Sequence, residues 1–397
     1  MDFSVDKNSR ALIASLTEAF AGIAARAQKV DESAELPPEN LREVMDSGYP
    51  RIFHPAEIGG LGVDGVTQAM AMEALARACP STYWSATMST LVCAKLIHAY
   101  GDPGHTRELL DGLVSGRRLG CFPVVELTSG SDAETYRTIV RPTGDGGYTI
   151  SGEKARITNA TNADLAVVFS RLEGGPEQWC YAFVDLRQPG VRTYRMPSMG
   201  LRAMPWGGLV FEDARIEPAC VAPLRAEQFP EGMAWGWLFI SISAIATAEA
   251  ALDAAVEHAR GQLSFGRELA HMEQIQALIA RSRVEIEAAR LLAYRCSWHR
   301  TEGRLVQDLV GMLKPYATEM AVRVTQHAVQ ILGSWGLTPG HPVERHYRDA
   351  PMNVIGGFAS NRLRELVAGL LGMPPAYQEF DRLEGTGLEL DLIGGLK

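Results

Sequence analysis

The sequence predicts a mainly α protein with a small β domain set between two helical regions, and three observations carry that reading. Apolar residues recur at helical spacing through the first part of the chain. Short apolar or alternating runs separated by turn residues occupy the middle. The helical period then returns and persists through three long segments.

Within residues 11–29, Leu12, Ile13, Leu16, Phe20 and Ile23 share one helical face, and Pro37-Pro38 opens a second amphipathic segment ending near Gly48. Asp64 and Asp102 stand where N-caps belong, before helical runs at 67–78 and 105–114, with the segment 84–100 between them. Residues 1–116 therefore read as an all-helical domain. The runs 119–126, 137–141, 148–150, 165–170, 181–185 and 209–211 read as strands of a small, β-barrel-like middle domain over 117–230. Its clearest hairpin turn is Gly144-Asp145-Gly146-Gly147. Segments 233–262, 272–301, 305–332 and 358–371 predict a C-terminal four-helix bundle over 231–373. Residues 374–397 carry prolines and glycines with no sustained period and read as an irregular extension.

At 397 residues and 46% apolar content the chain holds enough hydrophobic material for substantial cores. Its 38 basic and 47 acidic residues give a net charge of −9 spread along the chain, with no basic stripe, which excludes nucleic acid as the expected partner. The N-terminal MDFSVDKNSR lacks the apolar core of a signal peptide, and the longest apolar stretch, 235–251, is broken by Ser241, Ser243, Thr247 and Glu249. The expectation is a cytoplasmic protein without a membrane segment. Six isolated cysteines with no Cys-x-x-Cys pair predict buried free thiols and no metal site.

A series of motifs then appears in a fixed order. It begins with Pro55-Ala56-Glu57-Ile58-Gly59-Gly60-Leu61-Gly62 and the segment CFPVVELTSGSD at 121–132. Next come Ile157-Thr158-Asn159 with Ala163-Asp164, Met199-Gly200-Leu201-Arg202, and Val210-Phe211-Glu212-Asp213 before Ile216-Glu217-Pro218. Phe265-Gly266, Gln330-Ile331-Leu332-Gly333 and Tyr347-Arg348-Asp349-Ala350 complete it. In this order the motifs resemble the acyl-CoA dehydrogenase family over about residues 36–371. The resemblance implies FAD between the β domain and the bundle. Gly130 and Ser131 would then lie at its phosphates and Thr158 at its ring, with Glu126 and Asn361 as further contacts. It also implies that Phe265, Gln330 and Gly333 hold the dinucleotide across a subunit interface, hence a homodimer or homotetramer.

The chain departs from the family where chemistry is expected. The resemblance places a glutamate base at the position of Gly357, or in some branches about thirty residues before Phe265, near Gly236 and Trp237, and none of these is acidic. Glu231 lies further back and would need an unusual helix start to reach the site. Val125 stands for a usual threonine, Arg156 for a tryptophan flanking the flavin, and Gln262 for an arginine that pairs with pyrophosphate. Arg156 is read either as a contact to flavin or an anionic substrate, or as an exposed strand arginine.

Three functions follow as expectations. The first is a flavin-dependent oxidoreductase acting on an acyl thioester, on CoA or an acyl carrier protein, in a specialised biosynthetic pathway. It would have an electron-transfer flavoprotein or a flavin reductase as partner, and a Gly357 amide that still polarises the thioester carbonyl. The second is a flavin-dependent monooxygenase of the same fold. The third is a non-redox enzyme or binding protein on this scaffold.

Overall fold

A computed structural model describes residues 5–225, 228–303 and 307–374. The N-terminal helices are α1 (Lys7–Ala19), α2 (Ala21–Ser33), α3 (Pro38–Asp46), α4 (Gly65–Ala78), α5 (Pro80–Thr87), α6 (Ala94–Tyr100) and α7 (Arg107–Val114). A π-helical turn, Met88–Cys93, joins α5 to α6. The amphipathic run 11–29 is two helices rather than one, because Phe20 leaves helical geometry (φ −89°, ψ 1°) while its ring stays buried. Asp64 caps α4 by accepting from Thr67 N at 3.0 Å. Asp102 does not cap α7: its carboxylate accepts from Gly104 N at 2.8 Å in a turn, and Thr106 precedes the helix.

The middle region is one eight-stranded sheet of β1 (Gly120–Cys121), β2 (Ile139–Pro142), β3 (Tyr148–Thr158), β4 (Leu165–Leu172), β5 (Trp179–Asp185), β6 (Val191–Arg195), β7 (Trp206–Ile216) and β8 (Val221–Leu224). Its order is β6-β7-β3-β2-β4-β5-β8, with β1 beside β4. The glycine-rich turn joins β2 to β3, with Thr143 N on Gly147 O at 2.9 Å. β6 and β8 escape the sequence reading because both are short edge strands, and β6 has largely exposed side chains. β3 escapes most of its length because two register shifts against β7 break its alternation.

Alternation along β4 and β5 builds two cores. Leu165, Val167, Phe169, Tyr181 and Phe183 join the core shared with the helices, whereas Ala166, Val168, Cys180, Ala182 and Val184 join the sheet's own core. The sheet is thereby fixed face-on to the helical layers.

The C-terminal region contains α8 (Gln228–Gly261), α9 (Glu273–Thr301), α10 (Gln307–Leu332), α11 (Pro342–Ile355) and α12 (Ser360–Leu370), with a hairpin β9 (Leu263–Ser264) and β10 (Arg267–Glu268) after α8. The fourth bundle member is α11, which packs on both α8 and α10; α12, the sequence's choice, packs on α10. Pro351 inside α11 breaks the pattern that would have announced it. By length and composition α8 matches a membrane-spanning helix, and 78% of its apolar window is buried inside the protein. Of the irregular extension expected over 374–397, residues 375–397 lie outside the described residues.

Candidate active site

A cavity of about 430 Å³ opens between the sheet and the bundle. Residues near the end of β3 and from the chain after β1 form one wall, the early part of α8 and the turn after α11 the other, and Trp84 and Met88 a third side. The lining is mostly apolar. Among the described residues lining it, Arg156 is the one charged side chain, and no carboxylate is present.

On the sheet side, Asn159 fixes the end of β3. It takes up a left-handed backbone (φ +66°), which asparagine tolerates, and is fully buried. Its Nδ2 donates to Ser85 O at 2.8 Å and to Gly120 O at 2.9 Å, tying β3 to α5 and β1. The neighbouring Thr158 lines the cavity, and among the described residues its hydroxyl donates only to the Met204 sulfur at 3.5 Å, a weak acceptor. Gly130 and Ser131 also line the cavity. A Cβ at Gly130 would meet nothing within 4 Å, and Ser131 Oγ accepts from Ala359 N at 3.3 Å, linking the two walls.

Glu126, expected as a cofactor contact, is not among the residues lining this cavity. Its carboxylate accepts from the amides of Arg137 and Thr138, each at 2.8 Å, and from Lys154 Nζ at 3.2 Å. Burial pushes its pKa up, but Lys154 and the two amides outweigh that and hold it below the usual range. Glu126 is a fastener of the loop that carries Gly130 and Ser131. Arg156 is exposed, sits at φ +61° beside the second irregularity of β3, and its NH1 donates to the carbonyls of Glu126 (3.2 Å) and Leu127 (3.3 Å).

On the bundle side, Gly357 has φ +62°, and an added Cβ would lie 2.7 Å from Ile240 Cδ1 and 3.2 Å from Trp237 Cδ1. A side chain here would strain the left-handed backbone and require the Ile240 methyl to move. Its carbonyl accepts from Trp237 Nε1 at 2.6 Å. The N–H groups of Gly357 and Phe358 meet no acceptor among the described residues. Gly236 also lines the cavity, and there an added Cβ would meet nothing within 4 Å.

The structure does not bring the other expected contacts to this cavity. Phe265 and Gly266 (φ +51° and +77°) are the two central residues of the β9–β10 hairpin, and Phe265 is 96% exposed. Gln330 and Gly333 are exposed where α10 ends, at the far end of the bundle, where Ala259 of α8 packs near Ile331 and Leu332. Asn361 is exposed on α12, accepting from Arg364 at 3.1 Å. Sequence reasoning passed over Trp84, Met204, Met233 and Phe358, whose apolar side chains look like any core residue until the walls are assembled.

Two helical regions, the sheet between them and a mostly apolar cavity at their junction define the scaffold. Comparisons with known proteins agree: the acyl-CoA dehydrogenase N-terminal, middle and C-terminal domains match residues 8–117, 121–214 and 227–371. The short-chain specific acyl-CoA dehydrogenase of Bos taurus mitochondria is 31% identical over 355 residues, 87% of this chain and 85% of that protein. Butyryl-CoA dehydrogenase of Megasphaera elsdenii superposes with a TM-score of 0.89 at 26% identity, covering 94% of this chain and 100% of that one. A glutaryl-CoA dehydrogenase of Mycobacterium smegmatis, solved with FADH2, shares the fold (TM-score 0.87, 20% identity, 94% and 97% covered). This chain belongs to the acyl-CoA dehydrogenase family, whose members are FAD-dependent oxidoreductases.

Proposed function

We propose that this protein binds FAD and an acyl thioester in the cavity and acts on the thioester without a side-chain base from the bundle. The observation that carries the proposal is the absence of a carboxylate among the described cavity-lining residues, with a glycine at position 357. FAD, when bound, supplies a two-electron acceptor.

The residues present fit such a group. Apolar walls exclude water from a flat aromatic ring, Thr158 offers it a hydroxyl donor, and the open side of Gly130 leaves room for a phosphate. The unpaired amides of Gly357 and Phe358 suit a thioester carbonyl, which accepts more strongly as negative charge develops on its oxygen. Arg156, the charged side chain of the lining, suits an anionic group of cofactor or carrier. Phe265, Gln330 and Gly333 would serve the cavity of a second copy, making the working unit a homodimer or homotetramer, in a cytoplasmic, biosynthetic setting with CoA or an acyl carrier protein as carrier and an electron-transfer flavoprotein or reductase as partner.

General-base catalysis is commonly worth about 10² to 10⁴-fold, so a saturated acyl-CoA should bind with little turnover. Anaerobic titration of the FAD-loaded protein with butyryl-CoA tests this: the flavin absorbance should persist, and rapid bleaching would overturn the proposal. Oxygen consumption supported by a reductase, with no response to thioesters, would point to a monooxygenase.

A further inference from the structure

Lys314 of α10 is fully buried, yet no carboxylate lies within 4 Å of its ammonium among the described residues. Its Nζ instead donates to two backbone carbonyls, Val354 O and Phe358 O, each at 2.7 Å. Val354 is in the last turn of α11, where carbonyls lack helical partners and the helix dipole favours a cation. Phe358 lies beyond the turn, in a left-handed conformation (φ +77°) that a bulky residue seldom keeps unless its surroundings enforce it. The two bonds thus bracket Gly356 and Gly357, which line the cavity. Burying an ammonium is costly, and burial pushes the Lys314 pKa down to about 7. Glu319, the charged group that acts on it, is itself bound to Arg364 at 2.7 Å.

We infer that Lys314 is a positioning residue: by holding Val354 O and Phe358 O it fixes the Gly356-Gly357 turn, and so sets how the cavity wall meets an acyl thioester. The inference rests on the reading of the cavity as a thioester site, and the test separates the two. Trp237 Nε1 donates to Gly357 O, so its indole N–H resonance reports the turn directly. The chain has seven tryptophans, so the Trp237 signal can be assigned by its loss in Trp237→Phe.

In the full-length protein, Lys314→Met should shift the Trp237 resonance while those of Trp179, Trp298 and Trp335 stay in place. Lys314→Gln, which keeps shorter neutral donors, should shift it less and serves as the readable variant if the methionine form does not fold. Calorimetry with butyryl-CoA should show affinity weakened by roughly tenfold in Lys314→Met, the scale of losing hydrogen bonds from a charged donor. An unmoved Trp237 resonance in a folded variant would overturn the positioning role, and a moved resonance with unchanged butyryl-CoA affinity would overturn its link to the ligand. If the wild-type protein binds no butyryl-CoA, the thioester reading falls instead, and the resonance alone decides the role of Lys314.

Discussion

Trp237 and Gly357 are hydrogen-bonded to each other, indole Nε1 to carbonyl oxygen at 2.6 Å. These are two of the positions where resemblance to the family would look for a base, and here they serve as a strut. The indole occupies space beside Gly357 that a side chain would need, and Ile240 fills the rest.

Gly357→Glu should therefore not restore a base. A non-glycine residue at φ +62° with its Cβ 2.7 Å from Ile240 Cδ1 should lose about 1–3 kcal/mol or more from backbone strain and crowding. Gly236→Glu is the productive change, because an added Cβ there meets nothing within 4 Å at the cavity wall. Chemical denaturation should show Gly357→Glu clearly destabilised, and anaerobic bleaching by butyryl-CoA should accelerate in Gly236→Glu alone. Acceleration in Gly357→Glu would mean the turn relaxes more readily than this packing allows.

Trp237→Phe keeps the ring against the turn and removes its donor. Leaving the Gly357 carbonyl unpaired should cost about 1–3 kcal/mol, read as a lower denaturant midpoint with unchanged slope.

The folded-state pKa of Lys314 lies below its ordinary 10.5, at about 7. Between those values the unfolded chain holds a proton that the folded protein has released, so stability should rise with pH across this window and be lost as pH falls through about 7. Lys314→Met lacks the group. The difference in unfolding free energy between wild type and variant should shift in favour of the wild type from about pH 6 to about pH 9, and a pH-independent difference would contradict a buried, titrating lysine.

Gln262, where the family resemblance expects a phosphate-pairing arginine, is exposed, and its Nε2 donates to Leu263 O at 3.0 Å. Gln262→Arg has room for the longer side chain and should tighten FAD binding by supplying a charged bidentate donor. A fluorescence titration showing unchanged affinity would remove pyrophosphate from this surface.

Phe265 is 96% exposed at the tip of the β9–β10 hairpin, whose two-residue turn sets its left-handed conformation, so its ring stands free for a second copy of the chain. Phe265→Asp should lower the mass seen by light scattering, and should weaken FAD binding in parallel if a second copy completes the site. A wild-type monomer at micromolar concentration would exclude that assembly.

The sequence by itself determined the order of helical, β and helical regions, because periodicity and turn chemistry act over a few residues and survive without tertiary context. Gly130, Ser131, Thr158, Arg156 and Gly357, which the motifs singled out, all line one cavity. Tertiary structure alone decided that Glu126 turns to Lys154, that α11 rather than α12 completes the bundle, and that position 357 is crowded while 236 is open. Each depends on contacts between distant residues, such as the 120 positions separating Trp237 from Gly357. Packing, which no local pattern encodes, chooses which of several plausible side chains faces the cavity and which is consumed in holding it together.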